Sequence, residues 1–358
     1  MILENITKNL LTFLQRIEND FDIPQTYLDG DFKTFLEGKF EVYLQKLNEA
    51  TIDNDPNKKL FKREQIEIAN LLAFKIIETL DFYYKGQIKE AHDTFFNQLN
   101  KVIVNDKNIS ELLLEVQGLT REKKNFYRIT IVGKNEQCDK NRIFHIPFSK
   151  RHLVVNQRFS INGFPCLYLG DTIKICLDEL GICFNNDSIE NTFCSQFSST
   201  KELKFLKLNR IKDIYKLPFP KDEKMLESHF GTIANFILTY PLVLACLVKV
   251  KQSKGKFKPE YIIPQMLLQY VKNDSRQLDG ICYPSTKMNY EVFQELTTYN
   301  FVMPPRVFKN DYCEYLRSHF LISNPQPLKN IIKPIQNTNY KNSIYQTIED
   351  NLSKFQAE

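Results

Sequence analysis

Paired metal-ligand spacings and nucleotide-binding loops are missing from this sequence of 358 residues. Its eight cysteines are scattered without a C-x-x-C pair, and its five histidines show no H-x-x-x-H or similar spacing. Zinc sites depend on such spacings, so we expect no metal site. Neither the G-x-G-x-x-G fingerprint nor the P-loop pattern occurs, which leaves a Rossmann cofactor site and an ATPase without support. We therefore expect no resident cofactor.

Long apolar runs and a targeting segment are absent as well. The longest apolar stretch, residues 236–248, is interrupted at Thr239, Tyr240 and Pro241 and is too short to span a bilayer. The first residues, MILENITKNLLTFLQRI, form an amphipathic pattern with acidic residues rather than a signal peptide. The net charge of +5 is too small and too dispersed to indicate a nucleic-acid partner. These features predict a cytoplasmic protein with free thiols, without membrane attachment and without direct nucleic-acid binding.

Amphipathic helices are predicted over the first hundred residues. Apolar residues recur at helical spacing in four segments, at 2–20, 31–49, 60–83 and 86–105. Such helices form a small bundle or a clasp, so we expect a helical N-terminal region over residues 1–108. Either this region packs on the catalytic part and completes its core, or it serves regulation or self-association. The formation of a homo-oligomer is left open.

The pattern changes after about residue 110 to strands and short helices. Strands are predicted at FYRITIV, CLYL, KELKFLKL and DGICYPS, and helices at residues 224–238 and at EYIIPQMLLQYVKN. The apolar run LVLACLVKV after Pro241 predicts a fully buried strand. The sequence therefore predicts an α+β fold with a mixed sheet. The predicted divisions are a catalytic domain over 109–324 and a polar C-terminal tail with a short helix over 325–358.

Three polar residues stand at spacings that favour a common pocket. Arg158, Tyr168 and Glu179 are ten and eleven residues apart, separated by a Gly/Pro turn, an apolar strand and a helix start. Glu179 falls in the last turn of the predicted short helix, and its neighbour Asp178 points in a different direction, so the two acids do not form a dyad. Arg, Tyr and Glu together suit a ligand with phosphates, a flat ring and a developing positive charge. The alternative is that Arg158 and Glu179 are ordinary surface charges and that Tyr168 is a half-buried strand residue.

Segments on both sides extend this pattern into a resemblance. NFYRITI contains Arg128, the QRFS…P-LYLG…ELG block follows, and YIIPQMLLQYV then precedes DGICYPS with Ser285. In this order the segments resemble the RES-domain family, bacterial enzymes that degrade NAD+ and are often toxins. The resemblance covers roughly residues 120–305. The insert between Arg128 and Arg158 is long and contains further candidates for the arginine roles, together with a histidine: Arg142, Arg151 and His145.

The resemblance implies a sheet pocket similar to that of ADP-ribosyltransferases and cleavage of the bond between nicotinamide and ribose. Glu179, Arg128 and Ser285 would be the catalytic residues, with Glu179 stabilising an oxocarbenium-like transition state. Arg128 and Arg158 would bind the pyrophosphate through charge-assisted bonds. Tyr168 would offer a flat ring face, and Ser285 would bond the ribose or the nicotinamide amide. NAD+ would be substrate rather than cofactor, with water or inorganic phosphate as acceptor.

Other functions remain open beside NAD+ degradation by a toxin or defence effector. ADP-ribosyl transfer to a macromolecule would use the same pocket with a different acceptor. A non-catalytic nucleotide-binding or interaction protein is a further alternative. The resemblance also implies a neutralising antitoxin or another regulatory protein as a partner.

Overall fold

A computed structural model describes residues 2–28, 30–50, 61, 63–103, 116–119, 124–182, 189–273, 278–287, 298–332 and 352. The helices in this part are α1 (Ile2–Phe21), α2 (Phe32–Glu49), α3 (Arg63–Tyr84), α4 (Ile88–Ile103), α5 (Ile173–Leu180), α6 (Ile211–Tyr215), α7 (Glu223–Cys246), α8 (Ile262–Asn273), α9 (Glu314–Arg317) and α10 (Leu328–Ile332). The strands are β1 (Val116–Leu119), β2 (Asn125–Ile131), β3 (Leu167–Gly170), β4 (Thr192–Ser199), β5 (Leu203–Lys207), β6 (Gly280–Pro284), β7 (Tyr299–Met303), β8 (Phe320–Ile322) and β9 (Gln326–Pro327). The predicted α+β class is confirmed, and so are the four N-terminal helices.

Two compact units divide the chain differently from the predicted domains. A helical unit comprises Met1–Val116 with Lys207–Tyr270, and a sheet unit comprises Gln117–Leu206 with Val271–Glu358. The predicted continuous domain over 109–324 is thus interrupted, because α6 and α7 pack against the N-terminal helices α1 and α3. An apolar helix such as α7 needs partner helices on several sides to bury its surface.

Part of the predicted C-terminal tail belongs to the sheet unit. Of residues 325–358 the structure describes 325–332 and 352, and the predicted short final helix lies outside these residues apart from α10 and Leu352. β9 pairs with β4, and the side chains of Leu328 and Leu352 are fully buried. This segment therefore contributes to the core, because its apolar residues cover one face of the sheet.

The helical unit buries one apolar stripe of each N-terminal helix. On α2 the stripe has the helical spacing of the sequence pattern, and its buried residues are Phe32, Leu36, Phe40, Tyr43 and Leu47. The helix begins after Asp31, whose carboxylate accepts a bond from the main-chain nitrogen of Thr34 at 3.1 Å. The apolar residues that recur at helical spacing in the sequence thus form the buried face of α2.

The predicted strand after Pro241 is wrong. α7 continues as a helix through Pro241 to Cys246. A proline inside a helix leaves the carbonyl four residues earlier without its usual donor. Here that carbonyl, of Ile237, accepts a bond from the Tyr43 hydroxyl at 2.7 Å, so the buried acceptor is satisfied. A continuous apolar run does not distinguish a buried strand from a buried helix, and the tertiary contact decides between them.

α7 is also the helix of the described residues that is long and apolar enough to cross a membrane. Its most apolar 18-residue window has a mean hydropathy of 1.4, and 78% of that window is buried inside the protein. The core helix of a folded unit passes the same test of length and composition, so this helix is weak evidence for a membrane span.

The sheet unit is organised around strands in the order β1-β5-β6-β7-β3-β2-β4-β8, with β9 beside β4. The neighbours β6–β7, β7–β3, β3–β2, β2–β4 and β4–β8 pair antiparallel. One face of the sheet packs an aromatic core that includes Phe126, Phe144, Phe197, Phe205 and Phe301. The opposite face packs against α5 through Tyr127, Ile129, Ile173, Ile175 and Cys176. The predicted strands at FYRITIV, CLYL, KELKFLKL and DGICYPS are confirmed.

The connection from β3 to α5 brings a short helix close to the sheet. A Cβ atom at Gly170 would lie 2.5 Å from Cγ2 of Ile175 and 2.7 Å from Sγ of Cys176, so this position requires glycine. Thr172 caps α5 by accepting a bond from the main-chain nitrogen of Ile175 at 3.3 Å. Gly181 ends the helix with a φ of 66°. These features confirm the predicted short helix and place Glu179 in its last turn.

His145 is a buried neutral residue of the aromatic core. Its Nε2 accepts a bond from the main-chain nitrogen of Cys313 at 2.9 Å. Burial lowers the pKa of His145 to about 4, and the guanidinium groups of Arg128, Arg317 and Arg151 lower it as well, while the carbonyl of Ile146 raises it. The folded sheet unit therefore disfavours the protonated imidazole.

We predict that this residue makes the protein less stable at acidic pH. Unfolded histidine has a pKa near 6.5, so between that pH and about 4 the unfolded chain binds a proton that the folded chain does not. Stability should fall as the pH drops through this window, with His145 contributing about 2–3 kcal/mol. Urea unfolding at neutral and acidic pH should show a smaller pH dependence for His145→Gln, whereas the exposed His152→Gln keeps the wild-type dependence. Equal pH dependence in His145→Gln and wild type would contradict the assignment.

Candidate active site around Glu179

The carboxylate of Glu179 is held through one of its two oxygens. Oε1 accepts a bond from the Ser285 hydroxyl at 2.6 Å and another from Nδ2 of Asn300 at 2.7 Å. The two donor residues are buried, with exposures of 0% and 6%, whereas the Glu179 side chain is 29% exposed. One oxygen of this partly exposed acid is thus fixed by buried neutral donors, whereas no such donor contacts the other oxygen, Oε2, among the residues that the structure describes.

Ser285 follows β6 and fixes the turn as well as the acid. A hydroxyl has a single proton to donate, and here Ser285 donates it to Glu179. The same oxygen accepts a bond from the main-chain nitrogen of Lys287 at 3.1 Å. While these bonds persist, Ser285 orients Glu179 and has no proton left to donate to a ligand.

Lys287 faces the second oxygen of the acid. Its Nζ lies 3.4 Å from Oε2 of Glu179 and donates a bond to the main-chain carbonyl of the same residue. The side chain of Lys287 is 58% exposed, so solvent screens this ion pair.

The turn from Ser285 to Lys287 also contacts the candidate arginine. Nη2 of Arg158 donates a bond to the hydroxyl of Thr286 at 3.0 Å, and the side chain of Arg158 is buried. Two residues later in that loop, the hydroxyl of Ser160 lies 2.9 Å from the hydroxyl of Tyr168. Arg158, Tyr168 and Glu179 thus contact residues that are close to one another in the chain. Thr286 follows Ser285, and Ser160 lies two residues after Arg158.

Tyr168 and Asn300 lie on the same face of the sheet. Tyr168 of β3 is paired with Val302 of β7, and Asn300 is two residues before Val302 on the same strand. Because side chains alternate between the two faces of a strand, all three project to one side. This side is the face covered by α5, from which Glu179 reaches Asn300.

Arg128 does not contact Glu179 or Ser285 in the described part of the chain. Its neighbour Tyr127 is paired with Gly170, so strand alternation assigns Arg128 to the face opposite Tyr168. Nη1 donates a bond to the main-chain carbonyl of Tyr168 at 2.5 Å. Burial lowers the pKa of Arg128 to about 10, and its Nε is buried without a partner among the described residues. Arg128 therefore joins β2 to β3 and retains one unused buried donor.

The other candidate arginines have partners away from the acid. Nε of Arg142 donates to Glu136 at 2.7 Å. Arg151 donates to the carbonyl of Gly163 at 3.1 Å and lies over the ring of Phe148. By these contacts Arg158 is the candidate that reaches the turn of Ser285.

The acid next to Glu179 belongs to a separate interaction. Asp178 forms an ion pair with Lys174 on the same helix at 2.8 Å. It contacts neither Ser285 nor Asn300, in agreement with the prediction that the two acids do not form a dyad.

Sequence reasoning missed Asn300 and Lys287. Asn300 stands in the apolar strand YNFVM, where a buried amide needs a partner, and this is the signal that could have drawn attention to it. Lys287 follows the candidate serine by two residues, which alone indicates nothing. Its relation to Glu179 depends on the fold of the turn.

Among the residues that the structure describes, no group of three or more His, Cys, Asp or Glu side chains could hold a metal ion. The described cysteines are free thiols, and six of them are buried: Cys166, Cys176, Cys194, Cys246, Cys282 and Cys313.

Comparison with known proteins gives one relative of substantial coverage. The chain is 33% identical over 317 residues, which is 85% of the chain and 68% of the relative, to a protein of Bacillus subtilis (strain 168) named "Putative toxin YopC". No family model matches the chain, and no solved structure matches it.

The contact between Glu179 and Asn300 should be measurable as a coupling energy. A hydrogen bond from a buried amide to a carboxylate contributes about 1–2 kcal/mol at a partly exposed acid. A double-mutant cycle of Glu179→Ala and Asn300→Ala, followed by urea unfolding, should give a coupling of that size. The control cycle of Asp178→Ala with Asn300→Ala should be additive to within about 0.5 kcal/mol. Additivity in both cycles would show that the observed bond does not contribute to stability.

Proposed function

We propose that this chain, which belongs to the family of the YopC protein of Bacillus subtilis, is a toxin that cleaves the bond between nicotinamide and ribose in NAD+. The name of the relative supports the toxin role. The carboxylate of Glu179 supports the chemistry: Ser285 and Asn300 fix one of its oxygens, and the turn beside it contacts Arg158.

The proposed reaction needs a carboxylate beside the sugar. Breaking an N-glycosidic bond to a cationic ring develops positive charge on the ribose, and a fixed negative group stabilises that charge. Nicotinamide leaves as a neutral molecule, so no general acid is required. Oε2 of Glu179 is the oxygen that would face the ribose, since Oε1 is already bonded to two donors. A carboxylate held in this way does not have to reorient as the charge develops.

An arginine would bind the pyrophosphate. Arg158 is the candidate, because its guanidinium reaches the turn that carries Ser285 and Lys287. Arg128 would contribute indirectly, by fixing the strand of Tyr168, because its own side chain lies on the face of the sheet opposite Tyr168. Guanidinium groups suit phosphate because their donors match its oxygens in pairs.

Tyr168 and Ser285 would complete the pocket in different ways. The ring of Tyr168 offers a flat surface for the nicotinamide or the ribose, and Ser160 orients its hydroxyl. Ser285 would act as a positioning residue for Glu179, and its oxygen could accept a bond from a ligand hydroxyl. This differs from the role that the family resemblance implies for Ser285, where the serine bonds the ligand directly.

Replacement of the acid should abolish most turnover. Glu179→Gln keeps the shape and the bond from Ser285 but removes the charge, so release of nicotinamide from NAD+ should fall by two to three decades, about 3–4 kcal/mol of transition-state stabilisation. Asp178→Asn is the matched control, since this neighbouring acid pairs with Lys174, and it should retain near-wild-type turnover. Chromatography of the products distinguishes the functions. Free ADP-ribose or its phosphate supports the proposal, label on a macromolecule indicates ADP-ribosyl transfer, and no turnover by wild type would refute NAD+ cleavage.

Loss of Arg158 should weaken substrate binding more than chemistry. Arg158→Ala removes the proposed phosphate contact, so KM for NAD+ should rise by at least about tenfold, equivalent to about 1.4 kcal/mol, while kcat changes less. Arg142→Ala is the control, because Arg142 pairs with Glu136 away from the acid. An unchanged KM in Arg158→Ala, together with a raised KM in Arg142→Ala or Arg151→Ala, would transfer the role to one of those arginines.

A further inference from the structure

A run of lysines lies between α7 and α8 in the helical unit. Five of the ten residues from 249 to 258 are lysines: Lys249, Lys251, Lys254, Lys256 and Lys258. Three of them, Lys251, Lys254 and Lys256, are exposed. None of the five forms an ion pair with an acid in the described part of the chain, and the ammonium of Lys251 lies 4.9 Å from the ring centroid of Tyr27. This lysine segment therefore presents positive charge to solvent.

Buried contacts at both ends hold the lysine segment in place. Glu260 is 1% exposed, and its Oε1 accepts a bond from the Tyr27 hydroxyl at 2.8 Å. The same oxygen accepts a bond from the main-chain nitrogen of Lys251 at 2.9 Å. The main-chain nitrogen of Lys249 donates to the carbonyl of Gln25 at 2.8 Å. The segment thus lies against the connection from α1 to α2, and its lysines project from a fixed base.

Large apolar side chains are exposed beside the same contacts. Leu28 is 85% exposed and follows Tyr27, whereas Phe257 is 56% exposed and lies three residues before Glu260. The bond between Tyr27 and Glu260 therefore brings the chain segments of both apolar residues together. The ring of Phe257 also lies nearly parallel to that of Tyr83, with the centroids 6.5 Å apart.

These apolar residues and the lysines form one interaction surface. Exposed apolar side chains that lie together, unlike scattered ones, mark a site of interaction. We call this set the basic–apolar surface, and its members are Leu28, Lys249, Lys251, Lys254, Lys256, Phe257 and Lys258.

The combination of charge and exposed apolar groups indicates the chemistry of the partner. The partner must be anionic, and the basic–apolar surface contains no guanidinium, the group whose paired donors recognise the phosphates of nucleic acids. Leu28 has no ring on which a base could stack. An anionic lipid bilayer suits both features, because lysines stay among the headgroup phosphates while apolar side chains enter the boundary with the acyl chains.

We propose that the basic–apolar surface binds reversibly to anionic lipid bilayers, with Leu28 and Phe257 entering the interfacial layer. The prediction of no membrane attachment followed from the lack of a spanning run and of a targeting segment, and a surface contact of this kind needs neither. The basic–apolar surface belongs to the helical unit, whereas Glu179 belongs to the sheet unit. Lipid binding is thus independent of the proposed NAD+ cleavage.

Co-sedimentation of the full chain with vesicles tests the role of the charge. The wild type should sediment with vesicles of phosphatidylcholine and phosphatidylglycerol in equal parts, and much less with phosphatidylcholine alone. A lysine near an anionic membrane contributes about fivefold in affinity, so Lys254→Gln combined with Lys256→Gln should weaken binding at least about tenfold.

An equal loss of charge elsewhere in the helical unit is the matched control. Lys221 and Lys224 are exposed at the start of α7, the end of this helix that is opposite to the lysine segment. Lys221→Gln combined with Lys224→Gln should therefore bind the anionic vesicles like wild type. Equal binding by both double variants, or no sedimentation of wild type with the anionic vesicles, would overturn the proposal.

A substitution of Phe257 tests the role of the apolar groups. Phe257→Ser removes the apolar ring, so it should weaken binding to the same vesicles at least about fivefold. Phe74→Ser is the control, because Phe74 is an exposed phenylalanine within α3, and it should keep the wild-type affinity. Circular dichroism checks that both variants are folded. Unchanged affinity in Phe257→Ser would refute the insertion of this side chain.

A nucleic-acid partner would give a different result. The chain would then bind single-stranded DNA more tightly than the anionic vesicles at the same salt concentration, and Phe257→Ser would keep its affinity for the vesicles. This outcome would refute the lipid proposal. Because the vesicle assay contains no NAD+, failure to bind lipid leaves the proposed cleavage standing, and failure to release nicotinamide leaves the lipid surface standing.

Discussion

Two hydrogen bonds to one oxygen of Glu179 determine what this site can do. Ser285 and Asn300 are buried and neutral, so they orient the carboxylate without neutralising it. The two carboxylate oxygens of Glu179 therefore differ. Oε1 accepts bonds from the buried residues, whereas Oε2 contacts the exposed Lys287. The cleavage that we propose depends on this division. If both oxygens were held by buried donors, neither would be available to a ligand.

The fold produces this arrangement from elements far apart in the chain. Gly170 allows α5 to approach the sheet closely, and Thr172 starts the helix so that Glu179 falls in its last turn. β6 and β7 pair antiparallel in the centre of the sheet and deliver Ser285 and Asn300 to the face that α5 covers. The stability of the sheet is thus coupled to the geometry of the acid. A change in the register of β7 by one residue would turn Asn300 to the aromatic face.

The sequence identifies those parts of the fold and site that local patterns control. The turn, strand and capped helix around Tyr168 and Glu179 follow from glycine, proline and capping residues, and the structure has them. Asn300 could not be predicted, because its role depends on the pairing of distant strands rather than on its neighbours. The helix through Pro241 was predicted as a strand, since an apolar run is ambiguous and the rescuing hydroxyl comes from Tyr43. The assignment of residues 207–270 to the helical unit likewise depends on helix packing, which periodicity does not reveal.

In the function that we propose, a dinucleotide binds with its nicotinamide ribose against Oε2 of Glu179, the oxygen that the exposed Lys287 contacts. A crystal structure of Glu179→Gln with intact NAD+ tests it most directly, because the variant should bind the substrate without consuming it. We expect the ribose next to residue 179, the pyrophosphate at Arg158, and the ammonium of Lys287 displaced from the site of its ion pair. A dinucleotide on the other face of the sheet, or none at saturating concentration, would refute this binding mode.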